Sequence, residues 1–188
     1  DKGFIIEAED LVYVSVRLFT SAQLYQAGGV VSKGLAALGE EFRVGTFRNL
    51  GNLTGSQSQY LNFISVLATQ DNTTVNFSNF GNGVTIINDA ETSNILLNTG
   101  ESYVIAASPY ENSDNATGLI GVLVESDKPI AVNSGSFTGS NVSNTEGGGQ
   151  DIGIDQIAPV ERIGDEYIFV RGVGPDEVER PLIVAHED

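Results

Sequence analysis

Gly121-Val122-Leu123-Val124-Glu125-Ser126-Asp127-Lys128-Pro129-Ile130-Ala131-Val132-Asn133-Ser134-Gly135-Ser136-Phe137 holds two apolar runs on either side of a short polar tip. Both runs are rich in β-branched residues and bounded by Gly, Asp or Pro, so each reads as a strand and the tip reads as the turn of a hairpin. The same pattern stands at Gly3-Phe4-Ile5-Ile6-Glu7-Ala8-Glu9 and on through Val12 and Val14 to Phe19, at a constant offset of 118 residues (121 against 3). Leu38-Gly39-Glu40-Glu41-Phe42 is answered by Ile163-Gly164-Asp165-Glu166-Tyr167, and Val66-Leu67-Ala68-Thr69-Gln70-Asp71 by Ile183-Val184-Ala185-His186-Glu187-Asp188. Self-similarity kept in order along a chain is the signature of duplication.

Polar tips at Glu9-Asp10, Gln70-Asp71-Asn72, Ser126-Asp127-Lys128 and Glu187-Asp188 recur roughly every 60 residues, a spacing that suits a propeller blade or half of a sandwich. Further strands are expected over residues 41–47, 60–69, 74–78, 84–88, 94–97, 101–107, 166–171 and 182–186. Residues 138–149, rich in Gly, Ser and Asn, read as a long loop. The expectation is therefore an all-β chain of repeated antiparallel β-meander units, arranged like a propeller or as a β-sandwich. Residues 1–120 form the first repeat and residues 121–188 a second, truncated one; the two can also form one continuous domain. The second copy stops where the first runs on into Asn72-Thr73-Thr74-Val75, as expected for a piece of a longer protein.

Composition narrows the function. The 188 residues carry a formal net charge of −16 and a pI near 4.1. Such a field repels nucleic acid and anionic membrane surfaces. No stretch approaches the ~20 apolar residues of a membrane-spanning helix. The absence of Cys rules out disulfides, thiolate metal sites and a thiol nucleophile. No G-x-S-x-G, H-E-x-x-H or phosphate-loop pattern is present, so no enzymatic chemistry is expected.

The motifs resemble those of one family. Val66-Leu67-Ala68-Thr69-Gln70-Asp71-Asn72-Thr73-Thr74-Val75, Ser126-Asp127-Lys128-Pro129-Ile130-Ala131-Val132-Asn133-Ser134-Gly135, the stretch from Gln150-Asp151 to Gln156, Pro159-Val160, and Gly164-Asp165-Glu166-Tyr167 follow the order and spacing of the IgGFc-binding protein N-terminal domain family. Gln150, Ile152 and Asp155 stand where the family often carries Cys, His and Glu. The resemblance implies a secreted or cell-surface adhesion or binding module. In bacteria such modules sit within large surface proteins. Its ligand would be a protein or glycan on a surface, or a neighbouring domain or subunit. A structural repeat of a surface filament or stalk is the alternative, and a glycan-active enzyme a more distant one.

Calcium is the cofactor expected if there is one. Asp151 and Asp155 flank Gly153, and an ideal strand would hold them about 13 Å apart. A bend at Gly153 would bring both toward one ion, with other loops completing the roughly six to eight oxygens that calcium takes. The only histidine, His186, matches Thr69 of the first copy and reads as a surface strand position. Tyr60 and Tyr110 are candidates for stacking on a sugar.

Overall fold

A computed structural model describes residues 5–19, 27–46, 48, 61–139, 151–173 and 181–187. Strand β8, Leu123–Gly139, organises them, since it is 17 residues long and carries four other strands. Ile130 and Ala131 pair at once with β4 (Asn62–Ala68) and with β3 (Leu38–Arg43), so those two lie on opposite edges of β8. Val124 pairs in the same way with β3 and with β5 (Thr73–Ser78). Ser134 pairs with β4 and with β9 (Asp151–Gln156). One edge therefore carries β4 followed by β5, and the other carries β9 and β3. Outside them, β6 (Ile95–Leu97) lines β5 and β7 (Ser102–Ala107) lines β4. All pairings are antiparallel, and the resulting sheet curls on itself.

The polar tips have a different role from the one the sequence suggests. Ser126-Asp127-Lys128 does not reverse the chain; β8 runs through it as one strand. Pro129 falls where β8 changes partner from β5 to β4 and no ladder donor is needed. Nor do Gln70-Asp71-Asn72 make a hairpin. β4 and β5 both pair with β8 and not with each other. The turn, with Asn72 at φ 56°, shifts the chain from one partner region to the next. The turn between β6 and β7, with Gly100 at φ 77°, does the same one strand further out.

These interruptions line up as a polar crease across the sheet. The Asp127 carboxylate accepts from Thr74 N (2.7 Å), and Lys128 Nζ donates to the carbonyls of Asp71 (2.6 Å) and Asn72 (2.8 Å). Asp71 Oδ1 accepts from Thr99 N (3.0 Å), and Glu101 Oε2 from Asn98 N (2.7 Å). The Thr99 N–H and hydroxyl, helped by the Lys128 ammonium, hold the exposed Asp71 carboxyl below its usual value. The tips at 70–72 and 126–128 thus mark creases of one seven-stranded sheet around one core, and the described residues do not bear out a set of blades.

The crease lets both halves of the sheet face the same core. Phe42, Ile64, Val66, Val75, Ile105, Val124, Ile130 and Val132 are fully buried in one cluster. Each contributes on the order of 1.5–3 kcal/mol by leaving water. One end of this core is polar. There Asn115 Nδ2 donates to the carbonyls of Ser108 (3.0 Å) and Thr85 (3.2 Å), Asn62 Nδ2 donates to the Asn115 carbonyl (2.8 Å), and Ser134 Oγ donates to that of Gly45 (2.5 Å). β8 belongs to residues 121–188, while β3, β4 and β5 belong to residues 1–120.

Several expected strands are corrected. Residues 5–14 contain no strand, so no hairpin forms at Glu9-Asp10; β1 (Ser15–Phe19) pairs instead with β2 (Ala27–Val31). The matched segments 3–19 and 121–137 thus adopt unlike structures over their described residues. Residues 84–88 end in a 3-10 turn, Ile87–Asp89, with Asn88 at φ 58°. Residues 166–171 and 182–186 form no strand; Tyr167, Ile168, Phe169, Val170 and Ile183 stand largely in water, while Val184 and His186 are partly covered beside Gly45 and β3. Tyr60 and residues 140–149 of the expected loop lie outside the described residues.

Candidate functional site: a cleft beneath the β1–β2 ribbon

Alternation along β4 sends Ile64 and Val66 into the core and Ser65 and Leu67 to the opposite face. On that outer face Ser65 and Leu67 of β4, Ser102 of β7, Ala131 and Asn133 of β8 and Gln156 of β9 make a floor, lowest at Ser65, Ser102 and Ala131, where the side chains are small. The β1–β2 ribbon lies over it. Val14, Val16, Val30 and Ser32, with Ile6, form the facing wall of a cleft of about 410 Å³.

Two features hold the ribbon there. Gly28 passes so close to β9 that a Cβ would collide with the carbonyl oxygen and side chain of Ile152. Lys33, just beyond β2, clasps the end of β9. Its Nζ donates to Asp155 Oδ1 (2.6 Å) and to the Gln156 carbonyl, and its backbone N donates to Gln156 Oε1 (2.5 Å). Both charged partners are partly exposed, so the ion pair contributes at most about 1 kcal/mol. The clasp positions the ribbon more than it stabilises the fold.

The chemistry of the cleft is that of recognition. Among the described residues its lining carries no ionisable side chain. Its walls are aliphatic, and its hydroxyl and amide groups can both donate and accept. A profile of the IgGFc binding protein family matches residues 30–188. The chain belongs to that family. The family's description names a binding protein and no reaction. The match takes in the floor of the cleft and the Lys33 clasp, and it begins within β2, after β1. No curated protein and no solved structure matches the chain. Among the described residues, no helix is long and apolar enough to cross a membrane.

In this member of the family the two candidate calcium ligands are separated in role. Asp151 begins β9 opposite Gly139, and its Oδ1 accepts from Ile152 N (3.1 Å). Asp155 is held by Lys33, so a cation there would have to displace the ammonium. No three acidic or histidine side chains among the described residues converge to hold a metal. His186 sits beside β3 with Nε2 3.6 Å from Glu41 Oε1 and 4.0 Å from Glu187 Oε1, and its carbonyl accepts from Arg43 Nη2 (3.1 Å). Tyr110 is exposed and does not line the cleft. Sequence reasoning missed the ribbon and Lys33. The signal available was Gly28-Gly29 followed by Val30-Val31, a close-approach pair leading into a strand.

Proposed function

We propose that this chain is an extracellular binding module that holds an extended segment of a protein ligand in the cleft between the ribbon and the sheet. The observation that carries this reading is a cleft with a mostly aliphatic wall facing a floor of uncharged hydrogen-bonding groups and two apolar side chains, on a chain of a family described as binding proteins. An extended peptide presents backbone N–H and C=O groups along its length and side chains to two sides. Ser32, Ser65, Ser102, Asn133 and Gln156 suit the first, and Val14, Val16, Val30 and Leu67 suit the second. Among the described residues the cleft lining has no aromatic ring on which a sugar could stack, which favours a peptide over a glycan. The family, described as binding proteins, supports the extracellular setting.

The test is selection of a random-peptide display library on the immobilised chain, with immunoglobulin Fc fragment and a glycan array as further probes. Selected peptides should be uncharged and apolar at their centre. Ser65→Tyr and Ser102→Tyr, which fill the floor without touching the core, should weaken them at least tenfold while leaving the thermal midpoint in place. Peptides insensitive to both substitutions, or binding confined to glycans, would overturn the reading.

A further inference from the structure

Tyr167-Ile168-Phe169-Val170 is a run of four large apolar side chains in water, with relative exposures of 61, 89, 69 and 93%. In an extended chain successive side chains point to opposite sides, so Ile168 and Val170 stand on one face and Phe169 and the ring of Tyr167, whose hydroxyl accepts from Gly164 N (3.1 Å), on the other. One covering surface cannot bury it; it needs two. A strand of this composition normally lies inside a protein, covered above and below. The cleft offers that arrangement, with Leu67 and Ala131 on one side and Val14, Val16 and Val30 on the other. Neither the run nor the cleft lining carries a charge. The run leaves the body just past the 3-10 turn Val160–Arg162, which packs beside β3, and it contributes nothing to the lining of its own cleft.

We propose that the cleft takes the run 167–170 of a second copy of this chain, an inference that rests on the cleft being a peptide-binding site. The contact joins two different surfaces, tail to cleft. It is therefore heterologous, and unless the geometry closes a ring it extends into an open series of copies. Each copy carries a net charge of −16, so repulsion opposes association at low ionic strength and salt relieves it.

Sedimentation velocity of the whole chain tests this. The native chain should associate as its concentration rises, and more strongly in about 0.5 M salt than in 0.05 M, since screening shortens from roughly 14 Å to 4 Å over that range. A donor variant carrying Ile168→Asp and Val170→Asp, both at exposed positions, should be monomeric at every concentration. So should an acceptor variant, Ser65→Tyr, with Ser102→Tyr as a second acceptor if the first shifts the thermal midpoint. Mixing donor and acceptor variants should give a 1:1 dimer and nothing larger, because one intact cleft and one intact run remain. A native chain that stays monomeric in high salt, or a donor variant that associates like the native chain, would overturn the proposal. If either occurs while library-selected peptides still bind in competition with Ser65→Tyr, only the choice of partner falls; if Ser65→Tyr affects neither process, the cleft reading falls too.

Discussion

The curled sheet and the β1–β2 ribbon are made from the same kinds of residue and differ in what covers them. Val66 and Val132 in the sheet are fully buried, whereas Val16 in the ribbon and Val12 just before it stand largely in water. β8 has strands along both edges; β1 has one partner, β2. The sheet draws its stability from a shared apolar core and a bonded crease, and the ribbon packs along β9, where Gly28 makes a close contact and Lys33 a clasp. Strand propensity therefore says little about rigidity here, and the number of covering surfaces says most of it. A stable floor beneath a lightly tethered wall also suits a site that must admit a ligand.

The largest expected contrast comes from truncating one residue in each region. Ile64→Ala should cost about 2–5 kcal/mol in denaturant unfolding, because it leaves a cavity in a fully packed core. Leu11→Ala, at a fully exposed position before the ribbon, should change stability by no more than about 0.5 kcal/mol. Equal costs would erase the distinction. The polar end of the core comes next: Asn115→Ala should cost roughly 1–3 kcal/mol, since it strands the buried groups that Asn115 satisfies.

How far this was legible in the sequence follows the same division. β4, β5 and β7 could be read from alternation because their inner faces are buried and their outer faces are not. The creases were visible as polar tips but not as creases, since Asn72 and Gly100 adopt positive φ in a shifting turn as readily as in a hairpin. What distinguishes the two is the partner strand, and β8 lies far along the chain from β4 and β5. The role of Asp155 was hidden for the same reason: its partner Lys33 is 122 positions away. Residues 166–171 read as a strand by composition but form none, because composition supplies strand propensity and not an edge to join.

Smaller effects sharpen the comparison. Lys33→Met should lower global stability by less than about 1 kcal/mol, yet speed amide exchange in β1 and β2 while β4 and β8 stay protected. Acid should act on the crease of the sheet. Asp71 has a depressed pKa in the folded chain, so its contribution is present above the ordinary carboxylate range and is lost as pH falls through its lowered value. Asp71→Asn should flatten that part of the stability profile below about pH 4. The smallest effect expected is from calcium. With Lys33 holding Asp155, millimolar calcium should move the native thermal midpoint little relative to chelator, and a shift abolished by Asp151→Asn would restore the acidic pair as an ion site.

The central claim is that ligand enters between ribbon and sheet. Amide exchange of the chain, free and saturated with a library-selected peptide, tests it most directly. The account predicts slower exchange over residues 14–16 and 30–32, with the crease at 70–72, 98–101 and 126–128 unchanged. Protection concentrated at the crease, with the ribbon exchanging as fast as in the free chain, would contradict it.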